Sequence, residues 1–185
     1  WCETCLNQIE LIRGSLCPRC GMLELGQPDN DCSGEWRFRS LSVVSSYANP
    51  GVRELLTSFK YKRGLCLRES IKRLLERYRA SYRSAWPWAG LSELTIISIP
   101  MDEARLRERD MDHAAELAHL VRDVLVPWAT YTPLLTRDRQ VKQNAHFTDP
   151  LLRQANVRGI FSVLREPPPS VLLVDDVLTS GATLS

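Results

Sequence analysis

The chain has 185 residues, 44% hydrophobic and 25% charged, with a formal net charge of +2 at pH 7. A chain of this length buries one full core plus a small appended module, and its nearly balanced charge permits a phosphate-rich partner without requiring one. No apolar run reaches the roughly 18 to 20 residues of a membrane span, so we expect no direct insertion into a membrane.

Two cysteine pairs open the sequence. Cys2 and Cys5 form one C-x2-C pair, and Cys17 and Cys20 form a second after eleven intervening residues. Four thiolates at this spacing suit tetrahedral zinc, and we predict a structural Zn2+ in a zinc-ribbon module over residues 1–36. Disulfide bonds are the alternative, but no signal peptide is evident and the remainder of the sequence is typical of an intracellular ligand-binding domain.

The other candidate metal ligands fit this pattern less well. Cys32 follows Cys20 after the same eleven-residue interval, and we interpret it as a relic or a substitute ligand. Cys66 lies in a predicted amphipathic helix between two leucines, which favours a small buried hydrophobic residue. The histidines lack ligand spacing to the cysteines and are left out of the zinc site: His113, His119 and His146.

The segment after the zinc module is predicted to contain a strand over 41–47, a helix over about 52–59 after the turn at Asn49-Pro50-Gly51, and a second helix. The apolar stripe of the second helix is expected to pack on a sheet. Its members are Leu67, Ile71, Leu74, Leu75, Tyr78 and Tyr82. The segment 85–90 is predicted to be a surface loop whose two tryptophans belong partly to the core.

Basic residues are concentrated in the same segment. A helix with a solvated basic face explains this concentration, and a nucleic-acid surface explains it as well. The candidate nucleic-acid-binding residues are Lys60, Lys62, Arg63, Lys72, Arg73 and Arg77.

Strand and helix patterns alternate in the second half of the chain. A strand over 94–99 ends at Pro100, a helix over about 112–125 begins at the N-cap Asp112, and another strand covers 131–135. The polar stretch 136–153 has no clear period and is predicted to be an active-site loop. This alternation predicts an α/β fold over residues 37–185, with a doubly wound, mainly parallel sheet.

Residues 171–183 predict a ligand site. The apolar residues 171–174 indicate a buried strand of an α/β sheet, and such strands place ligand groups at their carboxyl ends. Asp175 and Asp176 follow, and neighbouring carboxylates can bind two ribose hydroxyls and help to hold hydrated Mg2+. Hydroxyls and closely spaced backbone N–H groups around Gly181 suit a phosphate. The ligand predicted for this run is a sugar phosphate.

Other acidic strand ends share part of this pattern. A Walker B strand requires a G-x-x-x-x-G-K-[ST] partner, which the sequence lacks. A phosphorelay receiver carries its acidic strand near the start of its domain and lacks the Thr-Ser-Gly-Ala-Thr continuation. An ordinary strand and turn with two solvated aspartates is the remaining alternative.

The run 171–183 resembles the phosphoribosyl pyrophosphate (PRPP) signature of type I phosphoribosyltransferases at every position. The resemblance implies that the strand end and loop bind PRPP together with Mg2+. The implied contacts are Asp175, Asp176, Val177, Leu178, Thr179, Ser180, Gly181, Ala182 and Thr183.

The order of motifs along the chain is similar to that of the ComF/GntX family of competence-linked, phosphoribosyltransferase-like proteins. Besides the PRPP run, the motifs are Cys17-Pro18-Arg19-Cys20-Gly21, Phe59-Lys60-Tyr61, Ile99-Pro100 and Asn156-Val157-Arg158-Gly159-Ile160-Phe161. The resemblance implies a cytoplasmic bacterial protein with a zinc finger and a type I phosphoribosyltransferase domain, held at the inner face of the membrane through partners. The implied partners are PRPP, incoming single-stranded DNA, and channel or helicase proteins of DNA uptake.

The same resemblance assigns the pyrophosphate loop to Pro100 and Met101. Arg105 and Arg109 are the best-placed side chains to neutralise pyrophosphate, because it leaves as a polyanion that needs fixed cations. With Asp175 and Asp176 they are the candidate catalytic residues, although a solvated pair of helix-start charges is the alternative for the arginines.

The chain departs from the family pattern beside this loop. Relatives usually carry Arg-Gly-Phe-Asn-Gln where residues 109–113 here read Arg-Asp-Met-Asp-His. Asp110 replaces the glycine, and its charge opposes a nearby phosphate.

Three functions follow from these observations. The first is a PRPP-binding protein that handles single-stranded DNA in natural transformation. The second is an active phosphoribosyltransferase of nucleotide or purine metabolism, and the third is a non-catalytic zinc-finger adaptor for a DNA-uptake helicase or channel. No residue identifies an acceptor nucleophile, so the sequence leaves catalysis open. The chain begins at Trp1 and stops directly after the phosphate loop, and we expect it to be a fragment.

Overall fold

The computed structural model of the chain divides into two compact units, Trp1–Ser92 and Glu93–Ser185. The residues that the structure describes are 1–18, 21, 38–61, 64–82, 86–101, 103–109, 111–137 and 160–178, without the side chains of 64, 65, 104, 105 and 109. The predicted domain boundary between residues 36 and 37 lies outside the described residues and stays a prediction.

The first unit combines helices with a short antiparallel pair of strands. Its elements are α1 (Glu3–Asn7), β1 (Ser15–Leu16), β2 (Leu41–Ser42), α2 (Pro50–Tyr61) and α3 (Gly64–Ser81). Ser15 pairs with Ser42 in the ladder. The strand predicted over 41–47 is therefore wrong in length, since β2 ends at Ser42. The Ser45 hydroxyl donates to the distant Glu10 carbonyl, and the Ser46 hydroxyl accepts a local hydrogen bond from the Ala48 N–H. Such local bonds compete with a strand ladder.

Helix α2 begins earlier than its sequence pattern indicates. The Asn49 side-chain oxygen accepts hydrogen bonds from the backbone N–H groups of Gly51 at 2.9 Å and Val52 at 3.3 Å. Asn49 thus caps the helix and Pro50 occupies its first turn, where the missing proline N–H costs nothing. The predicted turn is the start of the helix itself.

Helix α3 follows the predicted stripe. Leu67, Ile71, Leu74, Leu75 and Tyr78 are buried, which confirms five of the six predicted positions. In the described part of the chain, this helix packs against α2. Tyr82, just beyond the end of α3, is half-buried and shares a 2.7 Å hydrogen bond with the Ser15 hydroxyl of β1. Cys66 is exposed, so its predicted burial is wrong.

Aromatic side chains join the end of α3 to the following segment. The rings of Tyr82 and Trp86 are stacked with centroids 3.6 Å apart, and Trp86 also stacks on Trp88 at 4.9 Å. Trp88 is buried and Trp86 is half-buried. The prediction that these tryptophans belong partly to the core is confirmed.

The second unit is built around a parallel sheet. Its elements are β3 (Thr95–Ser98), α4 (Glu103–Arg109), α5 (His113–Leu125), β4 (Thr130–Tyr131), β5 (Leu135–Arg137), β6 (Phe161–Val163) and β7 (Val171–Val174). The strand order is β4-β3-β7 with both pairs parallel, whereas β5 and β6 form a separate antiparallel pair. The mixed α/β class and the parallel sheet are thus confirmed.

Helix α5 contacts all three strands of this sheet. The Asp112 carboxylate accepts a hydrogen bond from the Ala115 N–H at 3.0 Å, which confirms Asp112 as the N-cap. Its buried residues include Ala114, Leu117, Ala118, Leu120 and Val124. This apolar face anchors the helix on the sheet.

Two strand predictions need correction. The strand predicted over 131–135 is divided into β4 and β5, because Pro133 lies between them and has no N–H for a ladder. Strand β7 was predicted to be fully buried, but Val171 is 39% exposed and only Val174 is fully buried. In the described sheet β7 is an edge strand, which leaves its first residues open.

None of the helices in the described ranges combines bilayer-spanning length with sufficient apolar character. The predicted active-site loop, 136–153, begins within β5 and its residues from 138 onward lie outside the description. Strands β5 and β6 flank that segment and pair with each other, with Arg137 opposite Phe161.

Candidate functional site

Strands β3 and β7 bring two predicted ligand loops to one edge of the sheet. Ser98 pairs with Val174 at the ends of the strands, and the Ile99 N–H donates to the Val174 carbonyl at 3.3 Å. Because the strands are parallel, the chain leaves both of them at the same carboxyl edge. The predicted pyrophosphate loop at 100–101 and the predicted ribose loop at 175–178 therefore start side by side.

Asp175 and Asp176 occupy this edge as predicted. Asp175 is exposed and Asp176 is half-buried, and the Asp176 N–H donates to a carboxylate oxygen of Asp175 at 2.8 Å. A carboxylate has about four acceptor positions, so this bond leaves capacity for ligand hydroxyls. The half-buried Val177 and the exposed Leu178 continue the loop. The phosphate-binding residues Thr179, Ser180, Gly181, Ala182 and Thr183 lie outside the described residues and stay predictions.

The candidate pyrophosphate residues lie on and beside α4. Pro100 and Met101 are half-buried, and α4 begins at Glu103. Arg105 and Arg109 belong to this helix, but their side chains lie outside the description, as does Asp110. Their neighbour Arg107 is highly exposed and lies 3.6 Å from Glu103 in an ion pair. The cationic role of Arg105 and Arg109 stays a prediction.

One hydrogen bond between two hydroxyls, close to the Pro100 turn, was not predicted from the sequence. Ser98 is buried at the end of β3, and its Oγ lies 3.0 Å from the Tyr131 hydroxyl of β4. The Tyr131 ring also contacts the His119 ring, with centroids 4.3 Å apart. The position of Ser98 between Ile97 and Ile99 was the available signal, since a buried hydroxyl needs a partner. This bond ties β4 to the strand that carries the candidate pyrophosphate loop.

The first cysteine pair has geometry that suits a metal. Cys2 is the N-cap of α1, Cys5 lies in that helix, and their sulfurs are 3.4 Å apart. Tetrahedral zinc with Zn–S bonds of about 2.3 Å places two sulfurs about 3.8 Å apart, so a small adjustment would accommodate the ion. Hydrogen bonds from the Cys5 backbone and side chain lower the pKa of Cys2, whereas the hydrogen bond to Cys2 raises the pKa of Cys5. The pair therefore favours one thiolate, the form that binds metal.

The second cysteine pair is described only in part. Gly21 has φ of +71°, in the left-handed region that glycine adopts without strain, and its N–H donates to the Cys17 carbonyl at 2.9 Å. Cys20 and Cys32 lie outside the described residues. Within the described ranges, no three potential ligands cluster around one point. Zinc binding by Cys2, Cys5, Cys17 and Cys20 stays a prediction.

The predicted basic residues differ in their surroundings. Lys72 lies 4.0 Å from Glu76, and Arg73 lies 3.2 Å from Glu69. Each is an exposed i,i+4 ion pair on α3, which partly compensates the charge. Lys60 lies in the last turn of α2, and Lys62 and Arg63 lie outside the description.

Arg77 has an internal role. Its Nη1 donates to the backbone carbonyl of Leu6. Leu6 and Ile9 are almost completely buried, so the segment after the first cysteine pair packs within the same unit as α3. No local sequence pattern predicts this contact, because the two residues are 71 positions apart.

Comparison with known proteins gives one informative similarity. The chain is similar to the competence protein ComFC of Bacillus subtilis (strain 168), with 24% identity over 193 aligned residues that cover 99% of this chain and 74% of the relative. This similarity supports a relationship between the chain and ComF-like proteins. No family model matches the chain. No solved structure matches it either.

Proposed function

We propose that this chain is a PRPP-binding, phosphoribosyltransferase-like protein that acts in DNA uptake during natural transformation. The hydrogen bond between Ile99 and Val174 carries the ligand part of the proposal, because it sets the two candidate loops at one edge of a parallel sheet. Ligands of open α/β sheets bind at this edge.

The two loops match the two ends of PRPP. Asp175 and Asp176 would hold the ribose hydroxyls, and Thr179 to Thr183 would surround the 5-phosphate. The turn at Pro100 and Met101 would face the pyrophosphate, with Arg105 and Arg109 supplying positive charge from α4. Bound Mg2+ would neutralise part of the pyrophosphate charge. The carboxylates suit it because this ion prefers oxygen ligands and retains several waters.

The role in DNA uptake is supported by the similarity to a protein named for competence, over 99% of the present chain. We propose that the chain handles single-stranded DNA in the cytoplasm, with channel or helicase proteins of uptake as partners. A structural zinc ion at the four cysteines would stabilise the amino-terminal module, since such sites contribute folding energy directly.

Calorimetric titration with PRPP tests the ligand part. We expect saturable binding that requires Mg2+ and is lost in Asp176→Asn. Asp123→Asn is the matched control, because Asp123 is an exposed aspartate on α5 that pairs with Arg122. Absence of PRPP binding by the wild type, or equal binding by both variants, would contradict the proposal.

A genetic experiment tests the role in uptake. Deletion of the gene should lower transformation frequency, and the wild-type gene should restore it. Restoration by Asp123→Asn but not by Asp176→Asn would link transformation to the PRPP site. Normal transformation in the deletion strain would rule out a role in uptake.

A further inference from the structure

A cleft of about 520 Å3 opens within the unit Trp1–Ser92, between the residues after α1 and the last turn of α3. Its apolar lining comes from Ile9, Leu11 and Ala80, and two residues with amide side chains, Asn7 and Gln8, adjoin them. Pockets for small ligands measure about 300 to 1,000 Å3, so this cleft has room for one nucleotide unit.

Two arginines, Arg13 and Arg77, line the same cleft. In the described part of the unit, neither forms an ion pair with a carboxylate, whereas Lys72 and Arg73 on α3 both do. Glu10 is the acidic residue in the lining. The cleft therefore carries an excess of positive charge, and the predicted basic face is partly neutralised by its own helix.

Arg77 is already oriented before any ligand binds. Its bond to the Leu6 carbonyl engages one of the five N–H donors of a guanidinium, which leaves four for an anion. Leu6 is 1% exposed, so the acceptor of this bond belongs to a fixed part of the unit. A side chain held in this way loses less rotamer entropy when it binds a ligand.

We infer that this cleft binds one nucleotide of a single-stranded nucleic acid. The phosphate lies between Arg13 and Arg77, because guanidinium forks match phosphate oxygens. The base lies against Leu11 and Ala80, and the amides of Asn7 and Gln8 face its polar edge. The inference rests on the proposed handling of single-stranded DNA. It assigns the DNA contact to the cleft beside α1 instead of to Lys72 and Arg73.

Fluorescence anisotropy of a labelled oligo(dT), measured on the whole chain over a range of salt concentrations, tests the inference. The main variant is Arg13→Gln, because Arg13 is exposed and its replacement leaves the core intact. Arg39→Gln is the matched control, since it removes the same charge from an exposed arginine of the same unit that lies outside the cleft lining. Removal of one phosphate contact should weaken binding about fivefold at 0.1 M salt and lower the slope of log K against log salt by about 0.7. The control should change the affinity by no more than about twofold, the effect of the altered net charge alone.

A second variant tests the cleft without removing a cation. Ala80 is exposed and lines the cleft, so Ala80→Glu adds a carboxylate beside the proposed phosphate position. We expect a loss of affinity at least as large as that of Arg13→Gln. Wild-type affinity in both cleft variants, with weakened binding in Lys72→Gln on the predicted basic face, would overturn the inference and restore that face.

The outcomes separate this inference from the proposed function. Failure of the wild type to bind oligo(dT) would remove both the cleft assignment and the DNA-handling role, and calorimetry with PRPP would still report on the sugar-phosphate site. Loss of oligo(dT) binding in the cleft variants, combined with absent PRPP binding, would support the cleft and reject the PRPP site.

Discussion

The backbone N–H of Ile99, the residue after β3, donates to the carbonyl of Val174, the last residue of β7, at 3.3 Å. This bond holds the start of the Pro100 turn against the start of the Asp175 loop. The two segments are 75 positions apart in the sequence, yet the parallel register leaves them no freedom to separate while the sheet is intact. A ligand bound at this edge of the sheet would therefore contact both segments.

The N-cap of α5 should contribute measurably to the stability of the unit Glu93–Ser185. Asp112→Ala removes the acceptor of the Ala115 N–H, and loss of such a cap costs about 1 kcal/mol. The free energy of unfolding from chemical denaturation should fall by that amount. Asp123→Ala, on the exposed surface of the same helix, should change it by less than about 0.5 kcal/mol. Equal values for the two variants would show that the cap contributes nothing.

The contact between Arg77 and Leu6 predicts a stabilising role for a charged surface residue. Arg77→Met keeps the aliphatic stem but removes the side-chain donor to the Leu6 carbonyl, which retains the Ile9 N–H at 3.2 Å. We expect a loss of about 1 kcal/mol, the usual size of a partly exposed hydrogen bond. Lys72→Met is the control, because Lys72 makes only a surface ion pair with Glu76 in the described structure. Thermal unfolding that is the same in both variants would reject the role.

Metal content should depend on four of the cysteines and not on a fifth. We expect about one zinc ion per chain in the wild type, since structural sites of four thiolates bind one ion. Separate replacement of Cys2, Cys5, Cys17 or Cys20 by serine should lower the zinc measured by mass spectrometry. Cys66→Ser is the matched control, because Cys66 is an exposed thiol on α3. Undiminished zinc in all four variants would exclude these ligands.

The first cysteine pair also predicts an order of reactivity in the metal-free protein. The pKa of Cys2 is lowered by hydrogen bonds from Cys5, and the pKa of Cys5 is raised by its bond to Cys2. Since the thiolate is the reactive form, alkylation of Cys2 should begin at lower pH than alkylation of Cys5. Peptide mass spectrometry after brief treatment with iodoacetamide at several pH values measures this order. Alkylation of Cys5 at lower pH than Cys2 would contradict the predicted order of the two pKa values.

Local patterns were sufficient for much of the fold. The spacing of Leu67, Ile71 and Leu74 predicted the buried face of α3, and Asp112 predicted the start of α5. The prediction failed for Cys66, because adjacent helical residues point about 100° apart, so its neighbour Leu67 can be buried while Cys66 is exposed. The division between β4 and β5 was also missed, although Pro133 was the available signal.

The candidate site could be predicted where its functional residues lie together in one continuous segment. Asp175 and Asp176 follow an apolar run, and their position at the carboxyl end of a parallel strand agrees with the sequence pattern. Long-range contacts could not be foreseen in this way. The bond between Ser98 and Tyr131 and the bond between Arg77 and Leu6 both depend on how distant elements pack.

The central claim is that the ends of β3 and β7 form one PRPP site. The most direct test is an NMR titration of isotope-labelled protein with PRPP and Mg2+, followed at the backbone amides of Met101 and Asp176. These amides should shift together and saturate at the same ligand concentration, while those of Thr95 and Val171, paired at the opposite ends of the strands, should stay in place. Unchanged signals at Met101 and Asp176, or shifts confined to Thr95 and Val171, would contradict the claim.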